Sequence, residues 1–187
     1  MSFAFSRRAF LGAMTAFAAS SAFAAGSATG KRAVIIYYSR TGNTDVLARM
    51  IQAQTGADLL RLEVKEPYAE AYGDMTYIAR DEVRRGTRRE LSTAVPDLSG
   101  YDVVFFGSPY WWGSLSVPAQ TFLMDHPLGG KTVYPFITSG SSSPEGALRR
   151  LRELCPETKV GEHFYASDSE AESSQAEVEA WLRRIGA

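Results

Sequence analysis

From Arg32 onward, short apolar runs alternate with segments whose apolar residues recur at helical spacing. This alternation is typical of parallel strands that are joined by crossover helices. The first run, Ala33–Tyr38, is apolar throughout, as expected for a strand that is covered on both faces. Right-handed crossovers place helices on both faces of such a sheet. The pattern therefore predicts an α/β fold, a three-layer sandwich with a five-stranded parallel sheet in the middle.

Five strands and five helices are predicted in strict alternation. The predicted strands are Ala33–Tyr38, Asp58–Val64, Tyr101–Gly107, Thr132–Thr138 and Val160–Ala166. The predicted helices are Asp45–Thr55, Asp74–Arg85, Val117–Asp125, Glu145–Leu154 and Ala176–Ile185. Ligands of open parallel sheets bind beyond the carboxyl ends of the strands, so the loops that follow the strands are the candidate site.

The first 24 residues are predicted to be an export signal and not part of the domain. Paired arginines at 7 and 8 precede an uncharged run over 10–19, and small residues flank Phe23 where a signal peptidase would cleave. This pattern is typical of a twin-arginine signal, which directs folded proteins to the periplasm. The alternative of a membrane anchor is disfavoured because the run is shorter than the roughly 20 residues that a span needs. We therefore expect a signal over 1–24, a flexible segment over 25–31, one domain over 32–187 and no stable anchor after cleavage.

Charge and cysteine content exclude several classes of function. The formal net charge of −1 argues against nucleic acid and anionic membrane surfaces as partners. The single cysteine, Cys155, excludes an internal disulfide and is interpreted as a packing residue. Because His126 and His163 have no neighbours at metal-ligand spacing, no metal site is predicted.

Four arginines cluster at the carboxyl end of the second predicted helix and just after it, at positions 84, 85, 88 and 89. Cations are favoured at the carboxyl end of a helix, so this cluster is interpreted as a solvated helix end. A site for an acidic partner is the alternative.

The first strand and the first helix are joined by a loop rich in hydroxyl groups, which consists of Ser39, Arg40, Thr41, Gly42, Asn43 and Thr44. A loop in this position directs backbone N–H groups and the positive end of the helix dipole at one point. It lacks the Gly-Lys-Ser/Thr ending of a nucleoside-triphosphate loop. The loop is therefore predicted to bind one phosphate group, with an ordinary capped turn as the alternative.

Thr41, Gly42, Asn43 and Thr44 after an apolar strand resemble the FMN phosphate loop of the flavodoxin family. The resemblance covers the whole of the predicted domain. It implies a flavodoxin-like fold with strand order 2-1-3-4-5, FMN as cofactor, and two further loops that hold the isoalloxazine ring. Export in the folded state suits a protein that must take up a cytoplasmic cofactor first.

The second of these loops follows the third strand and contains three adjacent aromatic residues. Its candidate cofactor-binding residues are Pro109, Tyr110, Trp111, Trp112 and Gly113. A turn cannot bury three adjacent aromatic side chains on one side, so at least one is expected to face a ligand and to stack on a flat ring. A structural aromatic cluster or a partner-docking patch is the alternative.

The third loop follows the fourth strand, and its small polar residues let the backbone approach a ligand closely. Its candidate cofactor-binding residues are Thr138, Ser139, Gly140 and Ser141. Many members of the family place a tyrosine in this loop, whereas this chain has none, so one face of the flavin is expected to be more open.

The resemblance implies an electron-transfer flavoprotein in which FMN does the redox chemistry and no catalytic side chain is needed. The expected partner is a redox protein or a membrane electron donor or acceptor, with quinone as one candidate. An FMN-dependent quinone or nitro-compound reductase is the first alternative. The second is a flavodoxin-like domain without flavin that docks a partner through Trp111 and Trp112.

Overall fold

The computed structural model describes residues 32–187. The predicted signal over 1–24 and the predicted flexible segment over 25–31 lie outside the described residues. Within the described range, no helix combines the length and the apolar character needed to cross a membrane.

The described chain forms seven strands and five α-helices. The strands are β1 (Ala33–Tyr38), β2 (Asp58–Leu62), β3 (Val103–Trp111), β4 (Ser114–Leu115), β5 (Thr132–Ser139), β6 (Lys159–Val160) and β7 (Phe164–Ser167). The helices are α1 (Asn43–Thr55), α2 (Tyr72–Arg85), α3 (Val117–Asp125), α4 (Glu145–Leu154) and α5 (Gln175–Ile185). A short 3₁₀ helix, Ala171–Ser173, precedes α5.

The sheet is parallel in the order β2-β1-β3-β5, and β6 and β7 both pair with β5 at its far edge. Together β6 and β7 replace the single last strand predicted over 160–166. The predicted five-stranded parallel sheet with strand order 2-1-3-4-5 is confirmed. The interruption falls at Gly161, where an added Cβ would lie 2.4 Å from Cε1 of Tyr134.

Other strand boundaries also differ from the prediction, and the differences are largest at the ends of β3 and β2. β3 does not end at Gly107 but continues to Trp111, because its pairing with β5 extends to Pro109↔Thr138 and its last residues form a hairpin with β4. β2 ends at Leu62, and Val64 instead forms an isolated antiparallel bridge with Leu91. The helices α1, α2 and α5 each begin one or two residues earlier than predicted.

Each face of the sheet carries its own apolar cluster, because the side chains of a strand alternate between faces. On one face, Ile35 and Tyr37 of β1 belong to a cluster with residues of α1 and α5, including the fully buried Trp181. On the other face, Ile36 belongs to a cluster with residues of α2, α3 and α4 and with Cys155, which follows α4. Burial raises the pKa of the Cys155 thiol, in keeping with a packing role.

The prediction of a solvated arginine cluster is wrong for one of its four members. The Arg89 guanidinium lies 3.8 Å above the ring of Tyr68, forms an ion pair with Glu82 and donates to the Glu66 carbonyl. Cation–π contact and ion pairing together hold this side chain against the protein surface. The other three arginines are exposed.

Candidate functional site

The loops that follow β1 and β5 and the β3–β4 hairpin surround one cavity of about 490 Å³ at the carboxyl edge of the sheet. Its volume lies in the range typical of small-molecule and cofactor sites. Most of the predicted site residues line it, namely Arg40, Thr41, Thr44, Pro109, Tyr110, Trp111, Trp112, Gly113, Thr138, Ser139, Gly140 and Ser141. Ser39, Gly42 and Asn43 do not line the cavity, but they shape the loop from which Thr41 and Thr44 reach it.

The first loop leads directly into α1 through Gly42, which has a φ of 106°. Its N–H donates to the Ser39 side-chain oxygen at 3.2 Å, which closes a tight turn. No side chain caps α1. Because the first N–H groups of a helix have no acceptor within the helix, they are available to an anion, which the helix dipole also attracts.

A buried pair of hydroxyl groups joins the first loop to the third. The side-chain oxygens of Thr44 and Thr138 lie 2.8 Å apart, and both residues line the cavity. A hydroxyl can rotate to donate or accept, so this pair offers a ligand either kind of hydrogen bond while it holds the two loops in register.

Arg40 lines the cavity, but its guanidinium is committed to the protein. Its Nη2 donates to the carbonyls of Ala69 at 2.9 Å and Glu70 at 2.7 Å. These carbonyls belong to the segment that precedes α2. Arg40 therefore ties the first loop to the start of this helix.

The second loop is a hairpin turn made by two residues with positive φ. Trp112 has a φ of 50° and Gly113 a φ of 86°, and the flanking pair is Trp111↔Ser114. Two-residue hairpins prefer this geometry because its twist matches that of the strands, but it usually selects Asn or Gly. Trp112 is the one non-glycine residue at positive φ between residues 32 and 187, which places a strained residue at the cavity.

The two tryptophans of this hairpin have different environments. The Trp111 ring packs edge-on against Tyr38 and Tyr68, with centroid distances of 5.7 Å and 5.0 Å. Burial raises the pKa of Tyr38 to about 12, so this phenol is neutral in the cluster. Trp112 is 48% exposed, and its Nε1 donates to the Thr76 carbonyl of α2 at 2.9 Å. The turn therefore half-buries one tryptophan in an aromatic cluster and exposes the other.

Six residues that line the cavity were not predicted from the sequence. The additional lining residues are Tyr72, Met75, Thr76 and Ala79 from α2, Ser142 from the third loop, and Asp168 after β7. The rule that ligands bind where parallel strands end would have identified Asp168. No local motif indicates that α2 crosses the cavity, because that placement is a tertiary contact.

The hairpin turn packs against α4. A Cβ added at Gly146 would lie 2.2 Å from the Gly113 carbonyl oxygen and 3.2 Å from the Tyr110 hydroxyl. The contact requires glycine because any larger residue at 146 would displace the turn.

The sequence of residues 32–185 matches the family model for flavodoxin, and the chain belongs to the flavodoxin family. None of the curated proteins matches the chain significantly.

Several solved structures are similar to this chain. A candidate flavoprotein from Bacteroides eggerthii is 28% identical, with a TM-score of 0.74 over 84% of this chain and 99% of its own. Another from Bacteroides uniformis is 25% identical, with a TM-score of 0.68 over 82% and 98%. A flavoprotein from Lactobacillus acidophilus, solved in complex with FMN, is 25% identical, with a TM-score of 0.64 over 76% and 97%.

The contact between Gly146 and the hairpin gives a first prediction. We expect Gly146→Ala to lower the free energy of unfolding by about 1–3 kcal/mol, because the new methyl group overlaps the Gly113 carbonyl oxygen. The measurement is urea unfolding, with the near-ultraviolet circular dichroism of the aromatic hairpin as a second signal. Gly73→Ala is the matched control, since Gly73 also lies in a helix and its Cβ would meet nothing within 4 Å. Equal stability of the two variants would contradict the contact.

Proposed function

We propose that this chain is an FMN-dependent electron-transfer protein that works in the periplasm. The observation that carries the proposal is the convergence of three loops on one cavity, with a helix amino end beside one loop and an exposed tryptophan on another. The FMN complex of the similar Lactobacillus acidophilus flavoprotein supports FMN as the cofactor.

The residues at the phosphate end fit a single phosphate group. The first turn of α1 offers unpaired N–H groups, and Thr41 and Thr44 add hydroxyl donors. No lysine lies in the loop over 39–44. Such donors suit one dianion better than the longer chain of a triphosphate.

The residues of the cavity that lie in the second and third loops fit a flat, conjugated ring. Trp112 presents an exposed indole that can stack on such a ring, and Gly113 and Gly140 let the backbone approach its polar edge. Met75 and Ala79 give the α2 wall an apolar surface that excludes water.

FMN, when bound, supplies the redox chemistry by taking up and releasing electrons. The protein binds it, orients it and shapes its surroundings. Arg40 and Asp168 are the charged residues that line the cavity. The Arg40 guanidinium is engaged with backbone carbonyls, so we assign Arg40 a positioning role.

The proposed electron donor and acceptor follow from the proposed periplasmic location. Free nicotinamide cofactors are expected to be scarce outside the cytoplasm, so a redox protein or a membrane donor, quinone included, is the proposed partner. Export itself is proposed from the paired arginines at 7 and 8 and the apolar run behind them.

A reductase is the second candidate, and one observation favours it. The third loop has no aromatic side chain between 138 and 143, and the rim of the cavity exposes Tyr72 and Trp112. An uncovered flavin face beside exposed aromatic rings would admit a small planar substrate such as a quinone or a nitroaromatic compound.

FMN binding is tested by titration of the apoprotein with FMN. We expect Thr44→Ala to weaken FMN binding about tenfold, because one hydroxyl donor and its link to Thr138 are lost. Thr87→Ala is the control, since Thr87 is exposed and outside the cavity. If the wild-type protein is colourless after purification and binds no FMN, the docking domain without flavin is the better interpretation. Equal FMN affinity of the two variants would argue against the first loop as the phosphate site.

Carrier and reductase are separated by the reoxidation of the photoreduced protein. For a carrier, we expect the reoxidation rate to increase linearly with the concentration of a soluble quinone, because no quinone site precedes electron transfer. Stopped-flow absorbance measures the rate, with free photoreduced FMN as the reference. A rate that saturates with quinone concentration would instead indicate a quinone site and favour the reductase.

Export is tested with the double variant Arg7→Lys/Arg8→Lys. We expect the variant to stay in the cytoplasm at its full length, whereas the wild-type protein reaches the periplasm and begins near residue 25. Cell fractionation and amino-terminal sequencing provide the measurement. Export of the variant to the same level as the wild type would rule out the twin-arginine route.

A further inference from the structure

Asp45 is an acidic residue in the first turn of α1, the turn to which the phosphate is assigned. A carboxylate at this position normally stabilises the amino end of its own helix and can occupy the free N–H groups there. It would also repel a bound dianion. In this chain no side chain caps α1, so the Asp45 carboxylate must be engaged elsewhere.

Three side chains, from β1, β2 and α1 itself, hold the Asp45 carboxylate. The Tyr37 hydroxyl donates to Oδ1 at 2.5 Å, Arg61 Nη1 donates to Oδ1 at 3.2 Å, and Arg49 Nε donates to Oδ2 at 2.8 Å. Partial burial acts to raise the pKa of Asp45, but hydrogen bonds from Arg49 and Tyr37 outweigh it and hold the pKa below its ordinary value. Asp45 is therefore ionised and fixed in place.

Arg61 differs from Arg49 because it also contacts the first loop. Its Nη2 donates to the Ser39 carbonyl at 3.2 Å, and its Nε pairs with Glu63 at 2.6 Å. The register of the sheet places Arg61 of β2 directly beside Tyr37 of β1. Arg49 reaches the same carboxylate from one helical turn further along α1, with its side chain 63% exposed.

We infer that Arg61 is a positioning residue that makes the site selective for a flavin with a phosphate group. Arg61 shares the Asp45 carboxylate with Tyr37 and Arg49, and it also fixes the Ser39 carbonyl of the first loop, which leaves the first-turn N–H groups free for the phosphate. This inference rests on the proposed function and names the source of its phosphate recognition.

The experiment compares the affinities for FMN and for riboflavin, which has the same ring and ribityl chain but no phosphate. We expect Arg61→Gln to weaken FMN binding about tenfold and to leave riboflavin binding within about twofold. A merely structural role would weaken both ligands together. Fluorescence titration of the apoprotein measures both affinities, and urea unfolding verifies that the variant is folded.

Arg49→Gln is the matched control, because it removes a partner of the same carboxylate without touching the loop. Its preference for FMN over riboflavin is expected to stay within about twofold of the wild-type value. Arg61→Lys keeps the charge but loses the planar group that donates to both the Asp45 carboxylate and the Ser39 carbonyl, so an intermediate preference for FMN over riboflavin is expected. In the Arg61→Gln background, Asp45→Asn is expected to restore part of the FMN affinity, since the repelling charge is gone.

The inference is overturned if Arg61→Gln weakens both ligands equally or leaves the FMN preference unchanged. It is also overturned if Arg49→Gln produces the same loss of preference, which would assign the effect to total charge. Failure of the proposed function has a different signature, because the wild-type apoprotein would then bind neither FMN nor riboflavin.

Discussion

The cavity depends on the parallel pairing of β1, β3 and β5, which brings the ends of three strands to one edge. β3 is the central strand, and its Gly107 lies between Tyr37 and Phe136 in the register. A Cβ there would lie 2.2 Å from Cζ of Phe136 and 2.7 Å from Cβ of Tyr37. Glycine at this point lets the aromatic side chains of both neighbours fill the space over β3, so the three strands stay close enough for their loops to share one cavity.

In the second loop, a residue that contributes to the site adopts a backbone conformation that lowers the stability of the fold. Asn or Gly at position 112 would suit the positive φ, yet the chain places a tryptophan there. Its indole contributes to the cavity wall and donates to α2, and Arg40 of the first loop donates to the carbonyls before α2. Two side chains from different loops therefore hold α2 across the cavity. This arrangement supplies a physical reason to keep a bulky residue in a conformation that costs of order 1–3 kcal/mol.

How well each part of the site could be predicted follows from how local its determinants are. The first loop could be predicted because an apolar strand, a glycine turn and a helix start are encoded within about a dozen consecutive residues. The hairpin of β3 and β4 could not be predicted, because β3 extends beyond Gly107 only through its pairing with β5 and β4. The α2 wall and the stacking of Arg89 on Tyr68 depend on contacts between distant segments, and a single sequence contains no local signal for such contacts.

The environment of the first loop also explains how a phosphate can be bound without a flexible cation. Arg40 and Arg61 both donate to backbone carbonyls, so neither guanidinium has to move when a ligand arrives. A lysine would have to give up about 2 kcal/mol of rotamer entropy to bind the same anion. Backbone N–H groups fixed at the start of α1 lose no such freedom, because folding has already ordered them. The selectivity of the loop then depends on keeping these groups unoccupied, which is why both the position and the charge of the Asp45 carboxylate matter.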